Sequence, residues 1–429
     1  MGLLAVSFTL FLALGLPIGI VLAGAAFVFI HFDPMLTEGT VFRSFFNFVT
    51  SYTLMAVPFF IYAGFLMERT GLIGKLFRFS DALIGWLPGG FGYATLVAAI
   101  IFGAISGSST AMAAAMGVIA FPELIKRGYP AWLAAGLIAS AGGIAILIPP
   151  SITLILYGIM TETSIVSLFF AGVLPGLLLA VGNALLIIFF GWKLKLPAGE
   201  FSWRGLAEAA WEAWPALMMP TIILGGLYGG VFTPTEAGAA ACAYALIYGA
   251  VARRKEFLTD VIQVTQRSLN LTAVIVFLLG CVGVFQFVLA NQGWAQHLTE
   301  WVGALGLSPM GFLLVLLPIL LFLSMFLSGI SIIVLTVPLF FPIALEMGIN
   351  PIWLAILVAL AMEMGVIIPP VGLNLFAVAG TTRVPLHEVA KGSIPFLFSD
   401  GSVLVIVLLF PILALWLPEY LVTPVFAPR

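Results

Sequence analysis

Charge is what this chain has least of: Asp, Glu, Lys and Arg make up 8% of its 429 residues, against 62% that are hydrophobic. A soluble domain carries about a quarter of its residues charged. An ordinary water-soluble protein is therefore excluded, and an integral membrane protein remains. Period-two alternation is missing too, which excludes a membrane β-barrel. Only two cysteines occur, Cys242 and Cys281, both inside apolar runs, so no disulfide framework or metal cluster can be built from them. The three histidines, His31, His297 and His387, fall near the ends of apolar runs, as interfacial residues do. There is no G-x-x-x-x-G-K-[ST] phosphate loop and no H-E-x-x-H zinc motif. With no Ser/His pair on neighbouring apolar elements either, an enzyme is not expected, and no cofactor is called for.

What is present is a series of uncharged runs, each near the roughly 20 residues that cross a bilayer as a helix. Leu3 to Ile30 is too long for the apolar core of a cleaved signal and reads as the first span, bent at Pro17. Residues 37–50 mix Glu38, Arg43 and Asn47 with phenylalanines and suit an interfacial helix. Ser51 to Met67 spans, and charges crowd residues 68–81. Residues 163–192 form a span, and 193–215, with its charges and tryptophans, reads as an interfacial connector. Two spans, 216–230 and 237–252, flank the turn T-P-T-E, where Glu236 is placed to cap the following helix. Residues 272–289 and 394–418 supply further spans.

The remaining segments are interrupted, and the interruptions come twice. S-G-S-S-T at Ser106–Thr110 and I-P-P-S at Ile148–Ser151 are answered about 220 residues later by S-G-I-S at Ser328–Ser331 and I-P-P-V at Ile368–Val371. Pro122, Gly128 and Trp132 face Pro342, Gly348 and Trp353 at nearly the same offset. Each copy thus holds a hairpin with a polar tip (88–126 and 309–346) followed by a helix broken at Pro-Pro (131–161 and 351–381). Pro88-Gly89-Gly90 shortens the first arm, which favours a re-entrant hairpin over two full spans. The expected fold is an all-α polytopic membrane protein made of repeats 1–192 and 216–429 joined by the connector.

The positive charges orient it. With the N-terminus cytoplasmic, every one of the 16 Lys and Arg residues except Arg43 and Arg429 falls on the cytoplasmic side, and the C-terminus is periplasmic. The parity is the same whether or not the hairpins are re-entrant. It makes the two copies run in opposite directions, an inverted-topology repeat of the kind found in secondary transporters.

Broken backbone at membrane depth persists only where protein or a wet cavity surrounds it. Small residues at a hairpin tip let the chain reverse, and freed carbonyls and Ser hydroxyls are the hard oxygen ligands a cation needs. Proline removes an amide donor, so carbonyls one turn earlier lose their partners. The candidate cation ligands are Ser106, Gly107, Ser108 and Ser109 with Ile148 and Pro149, and Ser328, Gly329 and Ser331 with Ile368 and Pro369. Half-helices that start after a break point free amides and partial positive charge at an anion, so Ser109, Ser151, Thr153, Gly372 and Asn374 are candidates to line a substrate site. Glu363 lies inside a span, where it either serves an ion or proton pathway or accepts hydrogen bonds from the broken backbone. The tip serines have a plainer role open to them as small packing residues. No Arg or Lys within a span offers itself as a carboxylate partner, so the substrate is not readable.

These residues resemble the large membrane subunit of tripartite ATP-independent periplasmic (TRAP) transporters. The likeness rests on V-P-F-F-I-Y-A-G at Val57–Gly64, L-P-G-G at Leu87–Gly90, S-G-S-S at Ser106–Ser109, I-P-P-S at Ile148–Ser151, V-F-T-P-T-E-A at Val231–Ala237 and M-E-M-G-V-I-I-P-P-V-G-L-N-L-F at Met362–Phe376. It spans essentially the whole chain. The resemblance implies sodium-driven uptake of small organic anions, carboxylates or acidic sugars such as sialic acid, in the bacterial cytoplasmic membrane. It implies a soluble periplasmic substrate-binding protein, a separate small four-helix membrane subunit, and an elevator-like movement of hairpins and broken helices past a scaffold. It also implies sodium as the cation at both tip-and-break pairs. One departure stands out: where the family often has Asp in F-M-D at the second tip, this chain has Phe326, Leu327 and Ser328. A stand-alone divalent-anion/sodium symporter, an intramembrane enzyme and a passive channel are the competing readings.

Overall fold

The computed structural model describes residues 2–422 apart from 35, 295, 298, 299 and 301–305; Arg429, and with it the predicted periplasmic C-terminus, lies outside the described residues. Every regular element described is helical. Among the described residues six helices are long and apolar enough to cross a membrane, or seven if Gly39–Val49 and Tyr52–Arg69, bent by 58°, are taken as one.

Helix ends in an apolar medium need partners for their orphaned amides, and small polar side chains supply them. Ser151, Ser164, Ser202, Thr233, Ser308, Ser328 and Asn350 each cap the helix that follows by accepting a backbone N–H. At T-P-T-E the cap is reciprocal: the Thr233 amide donates to Glu236 at 2.8 Å while the Glu236 amide donates to the Thr233 hydroxyl.

Helices are interrupted at both polar tips and at both Pro-Pro pairs. The first hairpin is Gly90–Ser106 and Ser109–Lys126, the second Pro309–Ser324 and Gly329–Glu346. The broken helices are Ala131–Ile144 with Ile152–Thr161, and Pro351–Gly365 with Leu373–Thr382, each interrupted at a cis Pro-Pro bond. Elsewhere the segmentation differs. The first span is two helices, Gly2–Ala13 and Ile18–Phe32, because Gly15 adopts φ +72° ahead of Pro17 and the ladder is interrupted rather than bent. The connector is helical from Trp203 and runs on without a break to Tyr228, since Pro215 and Pro220 are absorbed within that helix. The last span divides into Leu386–Leu409 and Ile412–Leu421 at Pro411.

In space the helices sort into two groups that cut across the sequence repeats. Helices from residues 2–69 pack on those from 203–291, while the hairpins and broken helices pack on one another and on Ile165–Leu194 and Leu386–Leu409. Within the second group the copies interlock. Ser109–Lys126 lies on Leu373–Thr382, and Gly329–Glu346 lies on Ile152–Thr161, so each hairpin's second arm packs on the other copy's broken helix. Large apolar side chains face outward elsewhere, as lipid contact requires; Trp203 and Trp211 are each 77% exposed.

The closest packing is backbone on backbone. A Cβ at Gly392 would lie 1.8 Å from the Trp132 carbonyl oxygen, and one at Gly136 would lie 2.1 Å from the Gly392 carbonyl. Neither neighbour is a flexible side chain that can swing away. Gly392→Ala is expected to force Leu386–Leu409 off Ala131–Ile144 and lower stability by roughly 3 kcal/mol, the upper part of the overpacking range. Thermal unfolding in detergent would show it as a large fall in midpoint, and an unchanged midpoint would contradict the contact.

Candidate functional site

The first tip is built from Ser106, which ends the first arm, Gly107 in the left-handed region at φ +59°, and Ser108, extended before Ser109 starts the second arm. Gly107 is needed for more than its φ. A Cβ there would come within 3.2 Å of the Pro150 carbonyl and 3.3 Å of Ile152. The tip therefore rests directly on the exit from the first Pro-Pro break.

The second tip is arranged differently. Ser328 caps Gly329–Glu346, and its hydroxyl lies 2.9 Å from that of Ser331, so these two candidates are paired with each other. Gly329 faces Met362 and, across the copies, Thr153: a Cβ on it would be 2.8 Å from the Met362 methyl and 3.7 Å from the Thr153 hydroxyl.

The carbonyls one turn before the prolines are not left free as expected: Ile146, Gly365, Val366 and Ile367 all accept hydrogen bonds, and the unpartnered carbonyls are at the Ile-Pro-Pro residues themselves. Among the described residues no hydrogen bond ends on the carbonyl oxygens of Ile148, Pro149 and Pro150, or of Ile368, Pro369 and Pro370. The tip carbonyls of Ser106 and Gly107 are likewise without one. Other polar groups near the breaks are already satisfied. The Ser151 hydroxyl donates to the Ile146 carbonyl and accepts from the Leu154 amide, and the residue is fully buried, so it holds the break together. Ser393 donates to the Ile367 carbonyl at 3.2 Å. Gly372, at φ +41°, turns the chain so that the Asn374 amide reaches the Val366 carbonyl at 3.0 Å.

Asn374 and Ser109, candidates drawn from different copies, meet. The Asn374 amide nitrogen donates to the Ser109 hydroxyl at 2.8 Å and to the Ala139 carbonyl at 3.0 Å, and Ser109 donates to the Asn374 side-chain oxygen at 3.1 Å. The link ties the first tip to the helix that leaves the second break.

Ser106, Ser108 and Thr110 line one side of a cavity of about 590 Å³. Its opposite wall comes from Phe257–Asn291 in the other helix group and carries Arg267 and Asn270. The Arg267 guanidinium stacks 4.1 Å over Phe65 and approaches Glu68 at 3.5 Å. Only the fold brings this basic residue to the first tip. From sequence Arg267 counted only as one more cytoplasmic charge, and no local pattern ties it to a tip more than a hundred residues away.

Glu363 is fully buried and away from this cavity, beside Asp400. Asp400 was missed, although a carboxyl in the apolar stretch of the last span is itself the signal to look for.

Residues 5–413 match the family described as "Tripartite ATP-independent periplasmic transporter, DctM component". This chain belongs to that family. It is 40% identical over 86% of its length to the C4-dicarboxylate TRAP transporter large permease protein DctM of Pseudomonas aeruginosa, covering 87% of that protein. It is 32% identical to the sialic acid TRAP transporter large permease protein SiaM of Vibrio cholerae, covering 94% of this chain and 95% of SiaM. It is 33% identical to the ectoine/5-hydroxyectoine TRAP transporter large permease protein UehC of Ruegeria pomeroyi, with 95% and 96% covered. The YdaH transporter of Alcanivorax borkumensis shares the fold at a TM-score of 0.58 and 15% identity, with 86% of each chain covered. The chain is thus a multi-pass membrane transporter component of the TRAP class and not an enzyme.

Proposed function

We propose that this chain is the large permease subunit of a sodium-coupled importer that takes small organic anions across the bacterial cytoplasmic membrane, with its N-terminus in the cytoplasm. The carrying observation is the set of unpaired carbonyls at each Pro-Pro break. One set lies against the Ser106–Ser109 tip, and the tip opens onto a cavity bearing Arg267. Carbonyls and hydroxyls without hydrogen-bond partners are stable in an apolar medium when a cation replaces the missing donors. Ser328, Gly329 and Ser331 with Ile368 and Pro369 form the second cation site, supplied by backbone and hydroxyl oxygens alone where the family often has a carboxylate.

The substrate occupies the cavity between the first tip and Arg267, its anionic group on the guanidinium. Relatives named for C4-dicarboxylates and for sialic acid fit that charge. Substrate arrives on a periplasmic binding protein, and a separate small four-helix subunit completes the membrane assembly, as a relative named DctMQ combines further sequence with this region in one longer chain. The division into two helix groups supports an elevator movement: hairpins and broken helices travel as one body, and helices from 2–69 and 203–291 stand as scaffold. The two copies run oppositely through the membrane with re-entrant hairpins.

Uptake into proteoliposomes holding both membrane subunits, with the binding protein and substrate outside, tests the coupling. An inward sodium gradient is expected to drive accumulation, and replacing sodium by potassium on both sides to reduce it to the leak rate. Equal uptake in the two salts would remove sodium from the mechanism.

A further inference from the structure

Four helices meet around a polar cluster that the transport site does not use. Glu363 stands on Pro351–Gly365, Asp400 on Leu386–Leu409, Ser140 on Ala131–Ile144 and Asn183 on Ile165–Leu194. All four side chains are completely buried. Gly143 makes the room: a Cβ there would sit 2.3 Å from a Glu363 carboxyl oxygen.

The hydrogen bonds run in one direction. The Asn183 amide nitrogen donates to the Ser140 hydroxyl at 2.9 Å, and Ser140 passes its only proton to Oδ2 of Asp400 at 3.2 Å. Glu363 and Asp400 lie against the same turn of Ala131–Ile144, Glu363 over Gly143 and Asp400 on Ser140. Neither Glu363 oxygen nor Oδ1 of Asp400 has a hydrogen-bond partner. None of the ion pairs among the described residues involves either carboxyl. The other charged or titratable residues on these four helices, Lys193, His387, Glu388 and Lys391, lie at helix ends two turns or more from the cluster.

Two neighbouring carboxylates in a dry site cannot both be ionised, and the one that keeps its proton needs an acceptor for it. We infer that Glu363 and Asp400 form a proton-binding site in which Glu363 holds the proton and donates it to Asp400. Asp400 is the acceptor because Ser140 already donates to it. With the proton on Asp400 instead, an ionised Glu363 would have one donor and a second oxygen facing no donor at all. The pair is a resident-proton clamp that joins the leading halves of both broken helices to Leu386–Leu409. Glu363 therefore works as a neutral donor, and Asn183, Ser140 and Glu363 all direct protons toward one anion.

Glu363→Gln keeps a donor at the same place without the carboxyl, whereas Asp400→Asn turns one of the two accepting oxygens into a donor that faces another donor. In the purified chain, infrared absorption of protonated carboxyl is expected to lose one group's worth of intensity in Glu363→Gln and to keep it in Asp400→Asn. This arm does not depend on the transport reading. In the uptake assay Glu363→Gln is expected to stay within about twofold of the parent, and Asp400→Asn to fall by about tenfold or more, as burying a mismatched polar pair implies. Survival of the band in Glu363→Gln would overturn the assignment. So would loss of uptake in Glu363→Gln at unchanged yield and unfolding midpoint, which would mean that the site works through a negative charge on Glu363. If Glu363→Gln does not fold, loss of the band in Asp400→Asn is enough to reverse the roles and reject the proposal.

Discussion

Arg267→Gln is expected to reduce substrate uptake by thirty-fold to several hundred-fold while leaving yield and unfolding midpoint unchanged. The residue is half-exposed, and its contacts are the Phe65 ring and a long ion pair to Glu68 at 3.5 Å, so little of the fold rests on it. Its partner in transport is the substrate's own anionic group, in a cavity of about 590 Å³ whose remaining polar groups are hydroxyls and one amide. Removing one member of a desolvated charge pair costs roughly 2–4 kcal/mol. Arg267→Lys retains the charge but not the planar fork and is expected to fall between parent and Gln. The measurement is initial uptake rate against binding-protein concentration for all three variants. Uptake by the Gln variant at the parent rate would sink the placement of substrate in this cavity. It would leave the sodium experiment unaffected, because the two readings rest on different residues.

Asn374→Leu is expected to abolish uptake and also to weaken the fold. Asn374 is fully buried, and a leucine of similar size leaves the Ala139 carbonyl and the Ser109 hydroxyl without partners. Each unsatisfied buried group costs about 1–3 kcal/mol, so the pair amounts to roughly 2–6 kcal/mol. Ser109 begins the arm that leaves the first tip, and Asn374 begins the helix that leaves the second break. Their bond therefore holds the two candidate ion regions in register. Adding Ser109→Ala to Asn374→Leu removes one of the orphaned groups and is expected to restore part of the lost unfolding midpoint without restoring uptake. A double variant no more stable than Asn374→Leu would show that the bond between them contributes nothing.

Much of this architecture was legible because membrane proteins write their breaks in residue types that have few other uses. Ser-Gly-Ser-Ser inside an apolar run, or two adjacent prolines, has one main physical reading in a bilayer, and its recurrence at a near-constant offset marked both hairpins and both broken helices. T-P-T-E read as a cap for the same reason, since its reach is only three residues. Where the reading differed, the competing effects were local and nearly balanced. Pro17 alone would bend a helix, but Gly15 in the left-handed region interrupts it, whereas Trp203–Tyr228 continues through Pro215 and Pro220.

Less of the site was legible. The serines of the first tip and the paired prolines stand out in the sequence by their own chemistry. Ser151 was expected to line a cavity, and in the structure its hydroxyl caps the helix after its own break, because the Leu154 amide donor is only three residues away. Arg267 and Asp400 had no local mark beyond being charged. Their roles depend on what stands opposite, and sequence order carries no record of that.

The sequence by itself determined the class of molecule, since a chain so poor in charge has only the bilayer to fold in. It also determined where that chain must break, since proline and glycine act on their own backbone. Only the tertiary structure decided how the copies combine: 90–194 and 309–421 close into one helix group, 2–69 and 203–291 into another. The contacts responsible, Gly136 on Gly392, Ser109 on Asn374 and Glu363 in the space beside Gly143, join residues more than two hundred positions apart. Their strength comes from close approach and matched hydrogen bonds, which exist only once both partners are in place.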